Sequence, residues 1–508
     1  MDRILVLDYG SQYNALIVRR IKDLGVYSVL LPNTVSAAEI RKMEGVKGII
    51  LSGGPNSVND PKAPSIDLKI LSLGIPVLGI CYGMQLLAKV LGGEVSSSLV
   101  HEYGNTNCRF DVGSPLFEGA KKDSVVYMSH GDTVKKIPSG FRKIASSDPT
   151  EFAGMQSGNI FAIQFHPEVT NTVEGSKILS NFAFAICHAE KDWSIDNYIQ
   201  LKTEQIKKEV GNKRVLLGIS GGVDSAVTAV LIYKAIGTQL SCLFIDHGLL
   251  RKDEAKQVNE SFKEKLHIPV NCVDASELFL TRLAGITDPE TKRKIIGKTF
   301  IDVFKEASSK MGGFDYLAQG TLYTDKVESG KGGTSVVIKS HHNVGGLPKE
   351  LGFKLLEPLD ELYKDEVREL GRKLGLDEAF CARQPFPGPG LAIRIIGDVT
   401  KEKLDILREA DAILLDEVRK AGLQTKIWQY FCVLTADRSV GVMGDQRSYL
   451  HTLAIRAVTS VDGMTADFYH FDMDFLSKVS TRIVNEVKGI NRIVYDITSK
   501  PPSTIEWE

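Results

Sequence analysis

Twice in this chain a short apolar run breaks into a glycine-bearing turn and then into a helical pattern. Val77–Ile80 leads through Cys81-Tyr82-Gly83 to a helix expected over Met84–Leu91. Val215–Ile219 leads through Ser220-Gly221-Gly222 to one expected over Ser225–Ile236. Strands without polar alternation are covered on both faces, the condition of a parallel sheet between helices. Ile4–Leu7, Gly48–Leu51 and Leu240–Ile245 repeat the pattern, with helical Ala15–Leu24 after the first. The expected fold class is therefore α/β, with two successive parallel-sheet domains. Their ligands should gather at the carboxyl ends of the strands, where these turns lie. After residue 384 the pattern changes to a long helix, Lys401–Ala421, and later strands such as Arg492–Ile497, which read as a smaller α+β domain.

The 508 residues suffice for about three domains at roughly 150 residues each. The expected divisions are 1–190, 191–383 and 384–508. Lys191-Asp192-Trp193 and the amphipathic stretch to Val210 read as a connecting helix, and Pro385-Phe386-Pro387-Gly388-Pro389-Gly390 as a linker or rigid turn. Lys and Arg number 62 against 63 Asp and Glu, so bulk charge points to no nucleic-acid partner. The seven cysteines form no CxxC pair, which argues for a reduced, cytoplasmic setting without structural zinc. The uncharged stretch Ile70–Ala88 is long enough to cross a bilayer, but Gly74, Pro76 and Gln85 interrupt it. It reads as strand, turn and buried helix, and no membrane partner is expected.

Gly79-Ile80-Cys81-Tyr82-Gly83 has the form of a nucleophile elbow with Cys in place of Ser. The glycines permit a sharp strand-to-helix turn. The sulfur then sits at a helix N-terminus, and the amide of Tyr82 can serve an oxyanion. A base is needed, and strand Phe161–Phe165 ends in His166-Pro167-Glu168. Two residues apart on extended chain, His166 and Glu168 face the same side, so Glu168 can orient His166 and His166 can activate Cys81. Ser52-Gly53-Gly54-Pro55 follows another strand and offers Gly54 as the second oxyanion donor. These pieces, with the opening Leu7-Asp8-Tyr9-Gly10-Ser11-Gln12, resemble the class I glutamine amidotransferases. The resemblance implies attack of Cys81 on the glutamine amide, release of ammonia and hydrolysis of a glutamyl thioester.

Ser220-Gly221-Gly222-Val223-Asp224-Ser225 also joins a strand to a helix. Glycines let backbone approach phosphate, and a helix N-terminus supplies N–H groups. No Walker lysine is present, which argues against γ-phosphoryl transfer. The string resembles the PP-loop of ATP pyrophosphatases, which cleave between the α- and β-phosphates and adenylate an acceptor. Asp246 ends its strand at the same sheet edge. Magnesium is implied as the counter-ion of pyrophosphate, with its protein ligands unidentified.

Ammonia and an adenylated acceptor together describe the replacement of an oxo group by an amino group. From Leu7 to Glu508 the chain resembles the glutamine-hydrolysing GMP synthetase family. The likeness is densest at Gln319-Gly320-Thr321-Leu322, His341-His342-Asn343, Pro385–Gly390, Gly441-Val442-Met443-Gly444-Asp445 and the tail Lys500–Glu508. It implies xanthosine 5′-monophosphate (XMP) as the acceptor, with ATP and glutamine as the other small-molecule substrates. It also implies contacts to XMP from Arg293, Gln429, Asp445, Lys500 and Glu506, a lid carrying Asp325, Glu328 and Lys339, and a homodimer made through the C-terminal segment.

Overall fold

The computed structural model describes residues 1–323, 325, 352–381, 384–460 and 465–508. The chain divides into two compact units. One is Met1–Leu201 with a short piece that begins at Leu322. The other is Lys202–Thr321 with the described residues from 352 onward.

The first unit is built on nine strands: β1 (Arg3–Asp8), β2 (Tyr27–Pro32), β3 (Val46–Leu51), β4 (Val77–Ile80), β5 (Glu94–Phe110), β6 (Asp123–Lys136), β7 (Arg142–Ser147), β8 (Gly154–Ser157) and β9 (Ile160–Ile163). They lie in the order β2-β1-β3-β4-β9-β8-β7-β5-β6. From β2 to β9 all neighbours are parallel. Beyond β9 they are antiparallel. Helix α1 (Asn14–Asp23) follows β1 and α2 (Tyr82–Val90) follows β4. The all-apolar strands occupy the parallel half, where Ile4, Val6, Ile50, Leu78, Ile80 and Ile163 are fully buried.

The first unit ends inside helix α3 (Ile195–Val210), past the expected break at residue 190. The cause is packing. Trp193 stacks on Tyr27 of β2 at 5.1 Å, Tyr198 closes edge-on against both rings, and the Trp193 amide donates to the Gly25 carbonyl at 3.0 Å.

The second unit holds a five-stranded parallel sheet of β10 (Val215–Ile219), β11 (Leu240–Asp246), β12 (Val270–Asp274), β13 (Tyr316–Ala318) and β14 (Lys354–Leu356). Its order is β12-β11-β10-β13-β14. The direction of winding reverses between β10 and β13, the place where doubly wound sheets bind ligands. Helices α4 (Val223–Ile236), α5 (Pro289–Lys310) and α6 (Lys364–Lys373) belong to this part. Helix α7 (Lys401–Lys420), the hairpin β15 (Gln429–Met443) and β16 (Gln446–Thr459), β17 (Asp467–Phe468), helix α8 (Met473–Glu486) and β18 (Ile490–Asp496) complete the unit. One buried cluster runs from Leu216, Leu243 and Phe304 to Leu407, Leu453 and Ile483, so packing draws no line at residue 384. Nor is Pro385–Gly390 a free linker. Gly390 adopts φ +62°, and the Leu391 amide donates to the Leu249 carbonyl at 2.8 Å, pinning the segment to the loop after β11.

Candidate active sites

Cys81 stands between β4 and α2 with φ +53° and ψ −104°, a backbone conformation that costs of order 1–3 kcal/mol for a residue with a side chain. The surroundings impose it. The Cys81 amide donates to the Ile163 carbonyl at 2.8 Å, and the Gly83 amide donates to the Ser52 carbonyl at 3.1 Å. A Cβ on Gly79 would stand 2.7 Å from the Gly83 carbonyl, and one on Gly83 would stand 2.8 Å from the Leu51 side chain. Only glycine lets β4, α2 and β3 approach this closely.

His166 and Glu168 are buried beside this turn, 3% and 1% exposed. His166 Nδ1 and Glu168 Oε1 are 2.7 Å apart. This bond fixes the ring and leaves Nε2 for the thiol. Burial works against charge on the imidazole. The Glu168 carboxylate and the bond with the Cys81 thiol outweigh it and hold the His166 pKa well above its ordinary value. The Tyr13 ring meets His166 edge-on at 5.3 Å, and Thr172 Oγ1 donates to the His166 carbonyl at 2.6 Å. A Cβ on Gly53 would lie 3.1 Å from His166 Cε1, and one on Gly54 would lie 3.4 Å from Tyr82. The Ser-Gly-Gly turn thus meets both nucleophile loop and base. Tyr82 opens α2, so its amide has no intrahelical acceptor.

Composition gave no signal for two further neighbours of the sulfur. Gln164 Nε2 and the Ser129 carbonyl each lie 3.6 Å from Cys81 Sγ. Gln85, on the buried side of α2, donates to the Asp132 carbonyl at 2.8 Å. A glutamine buried in an apolar helix was the available sign.

In the second unit the loop Ser220–Gly222 leaves β10 at the switch point and caps α4. Gly221 takes φ +77°. The two serine hydroxyls lie 3.1 Å apart, Ser225 Oγ donates to the Gly222 carbonyl at 3.0 Å, and the Gly222 amide donates to Ser220 Oγ at 3.3 Å. The result is a preformed turn at the positive end of a 14-residue helix. Val223 is buried in the first turn, and Asp224 is held by Lys364 of α6, with Nζ 2.6 and 2.7 Å from its two oxygens. Lys364, which as a lone lysine could equally have met phosphate or stayed solvated, thus stands at the phosphate loop. Asp246 ends β11 and accepts the Gly248 amide at 2.9 Å.

Residues 5–186 match the class-I glutamine amidotransferase family, residues 195–295 the NAD synthase family, and residues 416–507 the GMP synthase C-terminal domain. Over its whole length the chain is 58% identical to the GMP synthase (glutamine-hydrolyzing) of Lacticaseibacillus rhamnosus, covering 98% of that protein. It is 56% identical to that of Limosilactobacillus reuteri strain DSM 20016, again over 100% of this chain and 98% of the relative. The chain belongs to the glutamine-hydrolysing GMP synthase family. Within this GMP synthase architecture, the residues expected around the acceptor nucleotide do not all meet.

Gln429 and Glu506 are together: Gln429 Nε2 donates to Glu506 Oε1 at 2.8 Å, and the Arg394 fork donates to both Glu506 oxygens at 2.8 and 3.1 Å. Arg293 lies on α5 with Nη2 2.5 Å from the Glu508 carbonyl, and the neighbouring Lys292, fully buried, pairs with the Glu508 carboxylate. Lys500 exchanges backbone bonds with Ala466 at 2.7 and 3.0 Å. Asp445 is elsewhere. It occupies the exposed tip of the β15–β16 hairpin, where Gly444 and Asp445 take φ +56° and +60°, the two-residue turn such a hairpin needs. Gln429 starts the 15-residue β15 and Asp445 follows its end, a separation on the order of 40 Å along the strand. One chain therefore does not bring Asp445 to Gln429. Of the expected lid, Asp325 accepts the Leu322 amide at 2.9 Å. Glu328, Lys339 and the His341-His342-Asn343 string lie outside the described residues.

Arg394 and Lys292 were not anticipated as tail anchors. A lone arginine in the apolar run Leu391-Ala392-Ile393-Arg394-Ile395 was the signal for one. Lys292 beside Arg293 gave none.

Proposed function

We infer that the chain makes GMP with glutamine as nitrogen donor and ATP as co-substrate, and we propose the residues that divide the work. Cys81 attacks the glutamine side-chain amide. His166, oriented by Glu168, takes the thiol proton and returns it to the leaving ammonia. The amides of Tyr82 and Gly54 hold the oxyanion. Water then cleaves the thioester to glutamate.

Ser220, Gly221, Gly222, Val223, Asp224 and Ser225 form the ATP phosphate site. The xanthine O2 of XMP attacks the α-phosphorus and pyrophosphate departs. Ammonia then adds at C2, and AMP leaves with the former oxo oxygen. Magnesium, when bound, neutralises pyrophosphate charge. The donor set fits an ion carried mostly by phosphate oxygens and water, since the described residues hold no group of three ligating side chains. With Asp224 engaged by Lys364, Asp246 at the end of β11 is the carboxylate assigned to meet it.

Arg293, Gln429, Lys500 and Glu506 bind XMP in this reading. By the same likeness Asp325, Glu328 and Lys339 belong to the segment that covers the adenylate. The divisions 1–190, 191–383 and 384–508 then mark glutaminase, pyrophosphatase and acceptor-binding parts. The protein is placed in the cytoplasm, in keeping with seven unpaired cysteines. It acts as a homodimer, in which Asp445 reaches the nucleotide of the partner subunit. The hairpin arm supports this. Val440 and Val442 share one face of β15, Tyr449 lies opposite Val440, and all three are strongly exposed.

The observation that carries the reading is the strained Cys81 against the His166–Glu168 pair, in a chain matched end to end by curated GMP synthases. The separating experiment is Cys81→Ala. It should abolish GMP formation from glutamine and leave formation from ammonium within about twofold. Loss of both would refute separate sites.

A further inference from the structure

Lys292, on α5, is fully buried. Its Nζ donates to the Ile395 carbonyl at 2.8 Å, to the Ala392 carbonyl at 3.3 Å and to the Glu508 carboxylate. Three acceptors thus match the three protons of the ammonium. They come from two segments, one about a hundred residues along the chain and the other more than two hundred. Glu508 is gripped from two further directions. Its other carboxylate oxygen accepts the Gly397 amide at 3.4 Å, and its carbonyl accepts Arg293 Nη2 at 2.5 Å.

The ammonium ties together the two segments that form the fork between Arg394 and Glu506. Ala392 and Ile395 bracket Arg394, so their carbonyls fix the backbone that carries the guanidinium. Glu508 lies two residues beyond Glu506, so its carboxylate fixes the chain that carries the acceptor. The fork runs from Arg394 Nη2 and Nε to the two Glu506 oxygens at 2.8 and 3.1 Å, and Gln429 Nε2 donates to one of them at 2.8 Å. One buried cation therefore holds both sides of this cluster by direct hydrogen bonds.

A buried ammonium is tolerated only with a counter-charge and full hydrogen bonding, and an apolar side chain of like volume often serves stability as well. Glu508, its side chain 6% exposed, supplies the charge. Without the ammonium, that carboxylate and two carbonyls lose their donor. The tail then loosens from the segment 392–395, and Glu506 loses its fixed place opposite Gln429.

We propose that Lys292 is a positioning residue, which ties the Glu506 end of the tail to the segment carrying Arg394 and so presets the acceptor-nucleotide site. This rests on the reading that Gln429 and Glu506 bind XMP.

The test uses the full-length protein and ammonium-driven GMP formation, so that the glutaminase plays no part. Lys292→Met keeps the length of the stem and removes the donor. It should raise KM for XMP about tenfold, with kcat at saturating XMP changed less than about threefold and KM for ATP within about twofold of wild type. A merely structural loss would raise KM for ATP as well, because the phosphate loop belongs to the same unit. Parallel rises in both KM values would therefore overturn the inference. Glu506→Gln should raise KM for XMP at least as much, and the double variant should raise it by less than the product of the two effects, because both act on one cluster. An unchanged KM for XMP in Lys292→Met, beside a raised one in Glu506→Gln, overturns the inference alone. An unchanged KM in Glu506→Gln overturns the tail reading, and the inference falls with it. If Lys292→Met does not fold, Glu508→Ala removes the carboxylate that the ammonium holds and spares the carbonyl bonded to Arg293. It should give the same rise confined to XMP, and an unchanged KM there is equally decisive against the proposal.

Discussion

Gly79→Ala tests whether the elbow geometry, rather than the presence of a thiol, makes Cys81 reactive. The added methyl would lie 2.7 Å from the carbonyl carbon and oxygen of Gly83 and 2.8 Å from Leu87 Cδ1. Comfortable carbon contacts begin near 3.5 Å, so β4 and the first turn of α2 must part by about 0.8 Å. Overpacking of this kind costs about 1–3 kcal/mol. The larger consequence is catalytic. Cys81 lies midway between Gly79 and Gly83, so that parting displaces the sulfur and the Tyr82 amide relative to His166. A misplacement near 1 Å costs on the order of 100-fold in a positioned reaction. Glutaminase kcat, read from glutamate release, should fall by about that factor. GMP formation from ammonium should stay within about twofold of wild type. Unimpaired glutaminase in Gly79→Ala would refute the argument that close approach at this turn sets the nucleophile.

Other perturbations separate the remaining parts. Glu168→Gln should lower glutaminase kcat by about 100-fold or more, since the imidazole loses the partner that orients it. The same variant tests pH linkage in thermal melts. The folded His166 pKa is raised, so the pair's contribution to stability is present below about pH 6.5, the unfolded value, and is lost as pH rises through the higher folded value. That dependence should flatten in Glu168→Gln, and an unchanged profile would count against the pair. Lys364→Ala frees Asp224 at the phosphate loop and should raise KM for ATP at least several-fold while glutaminase is retained. Val442→Asp, on the exposed hairpin face, should shift sedimentation toward the monomer, and an unchanged dimer would exclude the arm as the interface.

The parts of the fold that were legible in sequence are those where one force decides alone. Strands β1, β3, β4 and β10 are apolar on both faces, and the expected helix over Lys401–Ala421 appears as Lys401–Lys420. The antiparallel half of the first sheet was not legible. In β6 the buried positions include Ser124 and His130, and β5 carries Ser, Glu, His and Asn throughout its 17 residues. Alternation there places polar groups inward, where they find partners: Glu102 accepts the Ser147 hydroxyl at 2.9 Å, and His130 Nδ1 meets the Asp132 carbonyl at 2.9 Å.

The site divides in the same way. Cys81, His166 and Glu168 are joined by local geometry, a strand end and a two-residue spacing, which sequence encodes directly. The tail cluster is built by long-range pairing of Arg394 with Glu506 and of Lys292 with Glu508, and no local spacing announces such contacts. The position of Asp445 shows the limit most clearly. Its motif was legible, but its distance from Gln429 depends on a 15-residue strand leading away from the core.

The central claim is that glutamine hydrolysis, ATP cleavage between the α- and β-phosphates and amination of XMP belong to one chain. The most direct test is a mass-spectrometric product assay with ATP, magnesium and XMP, run once with glutamine and once with an ammonium salt. GMP, AMP and pyrophosphate in both reactions is the predicted result. Folded protein that yields no GMP in either reaction, or that releases ADP and phosphate instead, would contradict the account.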